Sequence, residues 1–299
     1  MTHSQISFIV PTHDDAEELE QCLNSIASST LSAHRVLICD DRTTKASSRM
    51  ALLALDKARD DQQVEVVASA RPGLAAARNT ALARVRSEYV RFVDSDDLLV
   101  PHSTDLLIDT LRQRSSPSVA VGRTFSASRT GGEVCSQPQL PSPNDLRTLD
   151  SFVAVWESRA SIPIHSALFR TAALSEADVW FPEILRSKED FAFWAKIVAG
   201  KMEIALCEEF VAVYIVRGAS MSRSDLGFNG TEFLKAVTLI ASTLKLAISR
   251  STLDVLEAHV LDYYGPHFTS EQWHATMLGL RELGEPAASD CVEGGVSHG

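Results

Sequence analysis

The sequence predicts an α/β fold: a doubly wound, mostly parallel sheet followed by a small C-terminal helical region. Three observations predict it. Between Ile6 and Arg114, short apolar runs alternate with segments of helical period, as strands and helices do around a parallel sheet. Three of those runs end in polar clusters, Thr12-His13-Asp14, Asp40-Asp41 and Asp94-Ser95-Asp96-Asp97, and doubly wound sheets bind ligands at the carboxyl ends of their strands. From Gly230 onward the chain reads as helical.

Ile6 to Val10 is an apolar run stopped by Pro11, which reads as a central parallel strand. Ala16 to Ser28 puts Leu19, Cys22, Leu23 and Ile26 on one helical face. Arg35 to Cys39 is a second strand, Ser47 to Arg59 a helix and Val64 to Val67 a third strand. Pro72-Gly73 opens an alanine-rich helix through Arg86; Tyr89 to Val93 is a fourth strand, and a helix follows from His102 to Arg114. Beyond Val121 the pattern changes. Arg123 to Ser136 alternates weakly around Gly131-Gly132, as a hairpin would. A proline-rich loop (Gln137 to Asn144), a short helix (Ser151 to Ser158) and an extended segment (Ile164 to Arg170) come next. Ser187 to Ala199 is an amphipathic helix with Phe191, Trp194, Ile197 and Val198 as its apolar positions. Glu203 to Cys207 and Phe210 to Val216 read as strands, and Arg217 to Asn229 as a polar loop able to close over a ligand. Helices are expected over Thr231 to Ile248, Thr252 to Tyr264 and Ser270 to Leu283.

With 299 residues, 45% hydrophobic and 22% charged, the chain suits a soluble globular protein of one large domain or a domain with an appendage. Its net charge of -11 argues against a general nucleic-acid binder. An anionic small ligand is not excluded, because a metal and one or two arginines can reverse the local sign. The five cysteines are scattered without metal-ligand spacing, which fits a reducing cytoplasm. The first residues lack the basic flank and apolar run of a signal peptide, and no run has the length of a transmembrane helix. A cytoplasmic protein, with peripheral membrane attachment left open, is the expectation.

The stretch Tyr89 to Val100, YVRFVDSDDLLV, carries the most chemistry. Carboxylates at the end of a buried strand repel one another unless a cation or hydrogen-bond donors hold them. A divalent metal with a phosphorylated ligand is the economical reason, since hard oxygen ligands suit Mg²⁺ or Mn²⁺. Asp94 and Asp96, two apart in an extended segment, point the same way. The alternative for Asp96 or Asp97 is a cap on the following helix. Asp40-Asp41 is either an Asx-turn or a contact to a base or ribose. His13 is a loop residue or a stacking partner for a base. Arg78, in GLAAARN, either lays its stem on apolar groups or forks onto a diphosphate. Glu189-Asp190 suits a first helical turn, and Trp194 lies one turn later on the same face as Asp190. A carboxylate beside an aromatic is also a candidate desolvated general base. His165 reads as a packing or hydrogen-bonding residue. Dinucleotide, Walker-type and nucleophile-elbow fingerprints are absent.

The pieces ISFIVPTHDDAEELEQCLNSI, RVLICDD, RPGLAAARNTAL, YVRFVDSDDLLVP, FPEILRSKEDFAFWAKI and VYIVRGASMS, in this order, resemble the GT-A-fold glycosyltransferases of family 2. The resemblance runs from about Ile6 to Ser224 and does not cover the C-terminal helices. It implies a nucleotide-binding set of Pro11, Thr12, His13, Asp40, Arg78, Asp94 and Ser95. In it Thr12 and His13 line the base, Asp40 bonds it, Arg78 nears the diphosphate and Asp94 nears the ribose. Asp96 would ligate Mg²⁺ or Mn²⁺, and Asp190 would be the catalytic base. Asp94, Glu189, Trp194, Arg217 and Ser222 would support them, with Arg217 meeting the leaving diphosphate if its loop closes. His13 stands where the family usually has tyrosine, Asp14 where asparagine is common, and Arg42 where a glycine usually follows the paired aspartates.

The resemblance implies a nucleotide-sugar-binding half (1–122) and an acceptor-side half of the same domain (123–229); the sequence itself adds a helical extension (230–286) and a disordered tail (287–299). The resemblance also implies inverting, metal-dependent transfer of a sugar from a nucleoside-diphosphate donor to an acceptor hydroxyl. The acceptor is left open among a glycan, a small molecule, a lipid-linked sugar and a protein, and a homodimer is left open as well. Two other classes compete: a sugar-phosphate nucleotidyltransferase and a non-catalytic nucleotide-sugar-binding protein of the same fold. The acidic PTHDDAEE segment speaks against the first, and the retained Asp94, Asp96 and Asp190 against the second.

Overall fold

Strand β1 (Ile6–Thr12) is buried along its whole length and forms the middle of a parallel group. It pairs in parallel with β2 (His34–Asp40) on one side and β4 (Tyr89–Phe92) on the other. β3 (Val64–Ala68) continues the group beyond β2. The computed structural model describes residues 5–46, 48–50, 52, 64–113, 117–128, 140–156, 158–216, 225–244 and 248–284. β7 (Ala167–Arg170) adds to β4 antiparallel, then come β6 (Val119–Ser128), β8 (Ile204–Val216) and the two-residue β5 (Leu98–Leu99). The eight-stranded order is β3-β2-β1-β4-β7-β6-β8-β5. The sheet is parallel where the acidic clusters lie and mixed beyond β4.

The period of two in each strand feeds two cores. Ile9, Leu37, Val90 and Phe92 face one layer, with the alanines of α2 (Leu74–Leu82) and the aromatics of α6 (Glu189–Ala199). Phe8, Val10, Val36 and Ile38 face the other, against Leu19, Cys22 and Ile26 of α1 (Ala16–Ser29) and Leu107 and Leu111 of α3 (Ser103–Arg112). Strands buried on both faces read as continuous apolar runs, which is why this half was legible.

The first core extends over α4 (Leu149–Val155) and α7 (Leu226–Leu244); α5 (Thr171–Glu176) lies between β7 and α6 in the chain. Phe233 of α7 meets Phe191 of α6 edge to face at 5.1 Å. Helix α8 (Arg250–His259) is capped by Ser249, whose amide and hydroxyl both donate to Asp150 of α4 at 2.8 Å. A π-helical turn, Val260–Tyr264, leads through Gly265–His267 to α9 (Ser270–Gly284), which packs on α7.

Several boundaries differ from expectation. The alanine-rich helix stops at Leu82, not Arg86. The two strands expected at 203–207 and 210–216 are one, β8, which pairs in parallel with β6 along its whole length across a register shift and antiparallel with β5 at Ala212 and Val213. The first arm of the expected hairpin is β6, paired with β7 and β8; residues 129–139 lie outside the described ones. So do most of the helix expected at 47–59, Arg217, Ser222 and the tail at 287–299. Among the described residues no helix is long and apolar enough to cross a membrane.

Candidate active site

Four residues past the end of β4 set the centre of the site. Their burial alternates: Asp94 and Asp96 are half-buried, while Ser95 and Asp97 are buried. The backbone there is not the extended segment expected but a turn, closed by the Asp97 amide donating to the Asp94 carbonyl at 3.0 Å, so the period of two does not set the directions of Asp94 and Asp96. Ser95 turns inward and donates to Asp15 Oδ2 at 3.0 Å. Asp97 also turns inward. Its Oδ1 accepts from the Ile215 amide of β8 at 2.9 Å, and its Oδ2 lies 2.9 Å from His165 Nδ1. Asp97 is therefore no helix cap; α3 starts six residues on, behind His102. Burial works against a proton on His165, but Asp97 outweighs it and raises the imidazole above its usual range. The ring stacks on Tyr214 at 6.1 Å.

A second buried charge underlies this end of the sheet. Arg91 of β4 is fully buried and reaches the His165 and Val211 carbonyls and the Ser103 and Thr104 hydroxyls at 2.6–3.2 Å. Burial without a carboxylate partner pushes its pKa down to about 9. Arg91 thus ties β4 to α3, to the Ile164–Ser166 turn and to β8. An arginine inside an apolar run was its only signal in the sequence.

Arg78 is 2% exposed. Its Nη2 lies 2.6 Å from Asp94 Oδ1 and its Nη1 2.7 Å from Glu189 Oε1. The guanidinium sits 5.1 Å over the Phe181 ring. Burial opposes its charge, but Asp94 and Glu189 more than restore it and raise its pKa. The fork expected on a diphosphate is thus taken up by two carboxylates of the protein itself, one from the acidic strand end and one from α6. The small side chains of α2 let this happen: Ala75, Ala76, Ala77 and Ala81 are all buried and bring the helix close to the sheet.

Glu189 and Asp190 open α6 behind Lys188, which has a left-handed φ of 64°. Asp190 Oδ1 accepts from the Phe191 amide at 2.7 Å. Desolvation first, then neighbouring Glu189, pushes the Asp190 carboxyl up to about 7, against the pull of Lys188 and Arg78. Trp194, one turn on, is fully buried and packs on Phe169 at 5.5 Å. It is part of the core behind the helix.

The first two strand ends build the far side. Pro11 and Thr12 are buried at the end of β1. His13 is exposed, with Nδ1 2.7 Å from the Asp41 carbonyl. Asp40 Oδ1 accepts from the Thr43 amide at 2.8 Å, in an Asx-type turn. Asp41 accepts from Gly73 at the start of α2 at 3.0 Å. Asp14 gathers the Thr44 and Lys45 amides at 2.8 and 2.6 Å and the Thr44 hydroxyl at 2.7 Å, and these donors hold its carboxyl down to about 2. Arg42 has φ 56°, the conformation glycine adopts freely.

Asp94, Asp97 and His165 bring ligating atoms within 4.8 Å of one another, the one cluster of that kind among the described residues. Two of its members already hold each other, so a cation there would have to displace the His165 proton. The half-buried Asp94 and Asp96 also carry hard carboxylate oxygens of the kind that fit Mg²⁺ or Mn²⁺, Asp94 while paired with Arg78. Arg91, the Asp97–His165 pair and Lys188 were not singled out from the sequence as site residues.

A mixed sheet with an acidic carboxyl edge, faced by a carboxylate helix, defines the GT-A class of glycosyltransferase folds. The model of the family described as "Glycosyl transferase family 2" matches residues 7–173, and the chain belongs to that family. An uncharacterized glycosyltransferase, EpsJ, of Bacillus subtilis is 26% identical over 212 residues, covering 70% of this chain and 60% of that protein. The poly(ribitol-phosphate) beta-N-acetylglucosaminyltransferase TarS of Staphylococcus aureus is 24% identical over 292 residues, covering 94% of this chain and 47% of that one. The chain thus spans about half the length of these relatives. Among solved structures, S. aureus TarS 1-349 in complex with UDP superimposes with a TM-score of 0.66 at 20% identity, over 93% of this chain and 80% of the other. The mannosyltransferase PcManGT of Pyrobaculum calidifontis, in complex with GDP-Man and Mn²⁺, gives 0.57 at 16% identity, over 94% and 74%.

Proposed function

We propose that this chain transfers a sugar from a nucleoside-diphosphate donor to an acceptor hydroxyl, with inversion at the anomeric carbon and Asp190 as general base. The observation that carries this reading is the Asp190 carboxyl, half-buried at the start of α6 and raised to about 7. A base of that strength is half-charged near neutral pH and takes up a proton from an attacking hydroxyl effectively. The base helix and the acidic strand end share one rigid link, Asp94–Arg78–Glu189. Arg78 in this reading holds the two halves in register, while Thr12, His13 and Asp40 line the nucleotide side.

Asp96, with Asp94 beside it, would hold Mg²⁺ or Mn²⁺. When bound, such an ion neutralises charge developing on a leaving diphosphate. The complexes of TarS with UDP-GlcNAc and of PcManGT with GDP-Man support a nucleotide-sugar donor. They also make UDP- and GDP-sugars the first to test. Residues 123–229, Asp190 among them, would form the acceptor side.

Asp96→Asn should abolish metal-dependent binding of UDP and GDP, measured by calorimetry. Asp190→Asn should bind the donor as wild type does and lose transfer by 10²-fold or more, on the order expected for a missing general base. Near-full turnover by Asp190→Asn would sink the base assignment.

A further inference from the structure

The segment that leads into Asp190 is held by the C-terminal helices. The Arg186 amide donates to Glu232 Oε2 at 2.7 Å, and Ser187 Oγ donates to Asn229 Oδ1 at 2.8 Å; both acceptors are buried on α7. Asn229 is itself fixed through its amide to the Asp225 carbonyl at 2.9 Å. Lys188 follows, in the left-handed conformation that lysine rarely adopts. Its Nζ donates to Tyr264 Oη at 3.2 Å and lies 5.6 Å from the centre of the same ring. Tyr264 is buried and ends the π-helical turn, an irregularity that often marks functional sites. The absence of a side chain at Gly230 makes room for it: a Cβ there would stand 2.6 Å from Tyr264 Cβ. Three consecutive residues before the Glu189-Asp190 pair are therefore anchored to the C-terminal helices.

We propose that Lys188 is a positioning residue for Asp190 and that Tyr264, from the C-terminal helices, fixes it in place. The proposal rests on the reading of Asp190 as the base. The groups that bear on Asp190 are Glu189 and Lys188 from its own segment and Arg78 from α2, with the Phe191 amide on Oδ1. Arg78 is already committed to Asp94 and Glu189. Lys188 is the second cation among these groups, and without it only Arg78 and the Phe191 amide oppose Glu189 and burial. The unusual backbone at Lys188 turns its ammonium onto Tyr264 and sets where that charge sits. The C-terminal helices then act on proton transfer without touching the donor.

The test reads Asp190 directly and needs no substrate. In the full chain labelled with ¹³C-carboxyl aspartate, the Asp190 resonance is assigned by its loss in Asp190→Asn. Its titration midpoint is then compared among variants. Lys188→Met should raise the midpoint by about one pH unit, the usual effect of removing a nearby opposite charge. Lys188→Arg should return it most of the way. Tyr264→Phe, which keeps the ring and removes the hydroxyl, should raise it by a smaller amount. A Lys188→Met midpoint equal to wild type overturns the proposal. If Lys188→Met does not fold, an unchanged midpoint in Tyr264→Phe overturns it instead. Full transfer by Asp190→Asn would remove the base reading while leaving the titration result standing, so the two failures are distinct.

Discussion

Replacing Asp190 by asparagine should make the protein more stable at pH 8. In the fold the Asp190 carboxyl is raised from its ordinary value of 3.8 to about 7, first by burial and then by Glu189. Between those values the folded protein keeps a proton that the unfolded chain has released. Stability therefore falls as pH rises through the window, and the full cost is present above about pH 7. The gap corresponds to about 4 kcal/mol if Asp190 were sealed from water. It is half-buried, so solvent screening reduces this to about 2 kcal/mol. Asparagine keeps an oxygen for the Phe191 amide and carries no charge to desolvate. Urea denaturation at pH 8 should show Asp190→Asn about 2 kcal/mol more stable than wild type with an unchanged m-value. The difference should shrink steadily to near zero at pH 4. Equal stability at pH 8, or a less stable variant, would refute the electrostatic account of the base.

Two further predictions concern the residues behind the site. Arg78→Met leaves Glu189 buried without a partner and frees Asp94, which is 29% exposed; breaking such a network should cost about 3 kcal/mol, and adding Glu189→Gln should recover part of it. A loss under about 1 kcal/mol by urea denaturation would mean that the link is not structural. Trp194→Phe should cost less than about 1.5 kcal/mol, because phenylalanine keeps the contact with Phe169 and removes an indole N–H that has no hydrogen-bond partner among the described residues, whereas Trp194→Ala should cost about 3–5 kcal/mol. Equal losses in the two variants would place the importance of Trp194 in its N–H instead.

The parallel half of the sheet was legible because β1, β2 and β4 are buried on both faces and end in polar clusters. Pattern carries that information directly. The same pattern put Asp94 and Asp96 in an extended segment, whereas the chain turns between Asp94 and Asp97 with both aspartates half-buried. What pattern lacks is the partner. Arg78 reads alike whether it faces a diphosphate or two carboxylates, because Glu189 is 111 residues away. His165 and Asp97 form an ion pair across the sheet that neither local context announces. Trp194 shares a helical face with Asp190 in the sequence, yet an eleven-residue helix packed on a sheet buries most of its circumference. Arg42 stands with a left-handed φ in a loop that the Asp14 and Asp40 carboxylates hold from two sides, contacts that its own sequence position does not announce. The C-terminal helices were visible as helices; their hold on residues 186–188 was not, since it depends on three unrelated side chains of α7 and the π-turn.

The central claim is a transfer reaction in which Asp190 acts after the donor has bound. It is tested most directly by following nucleoside-diphosphate release from a panel of UDP- and GDP-sugars with Mg²⁺ or Mn²⁺, for wild type and Asp190→Asn, alongside calorimetric binding of the same donors. The account predicts one donor that both proteins bind with equal affinity and that only the wild type turns over. Turnover by both, or binding by neither, would contradict it.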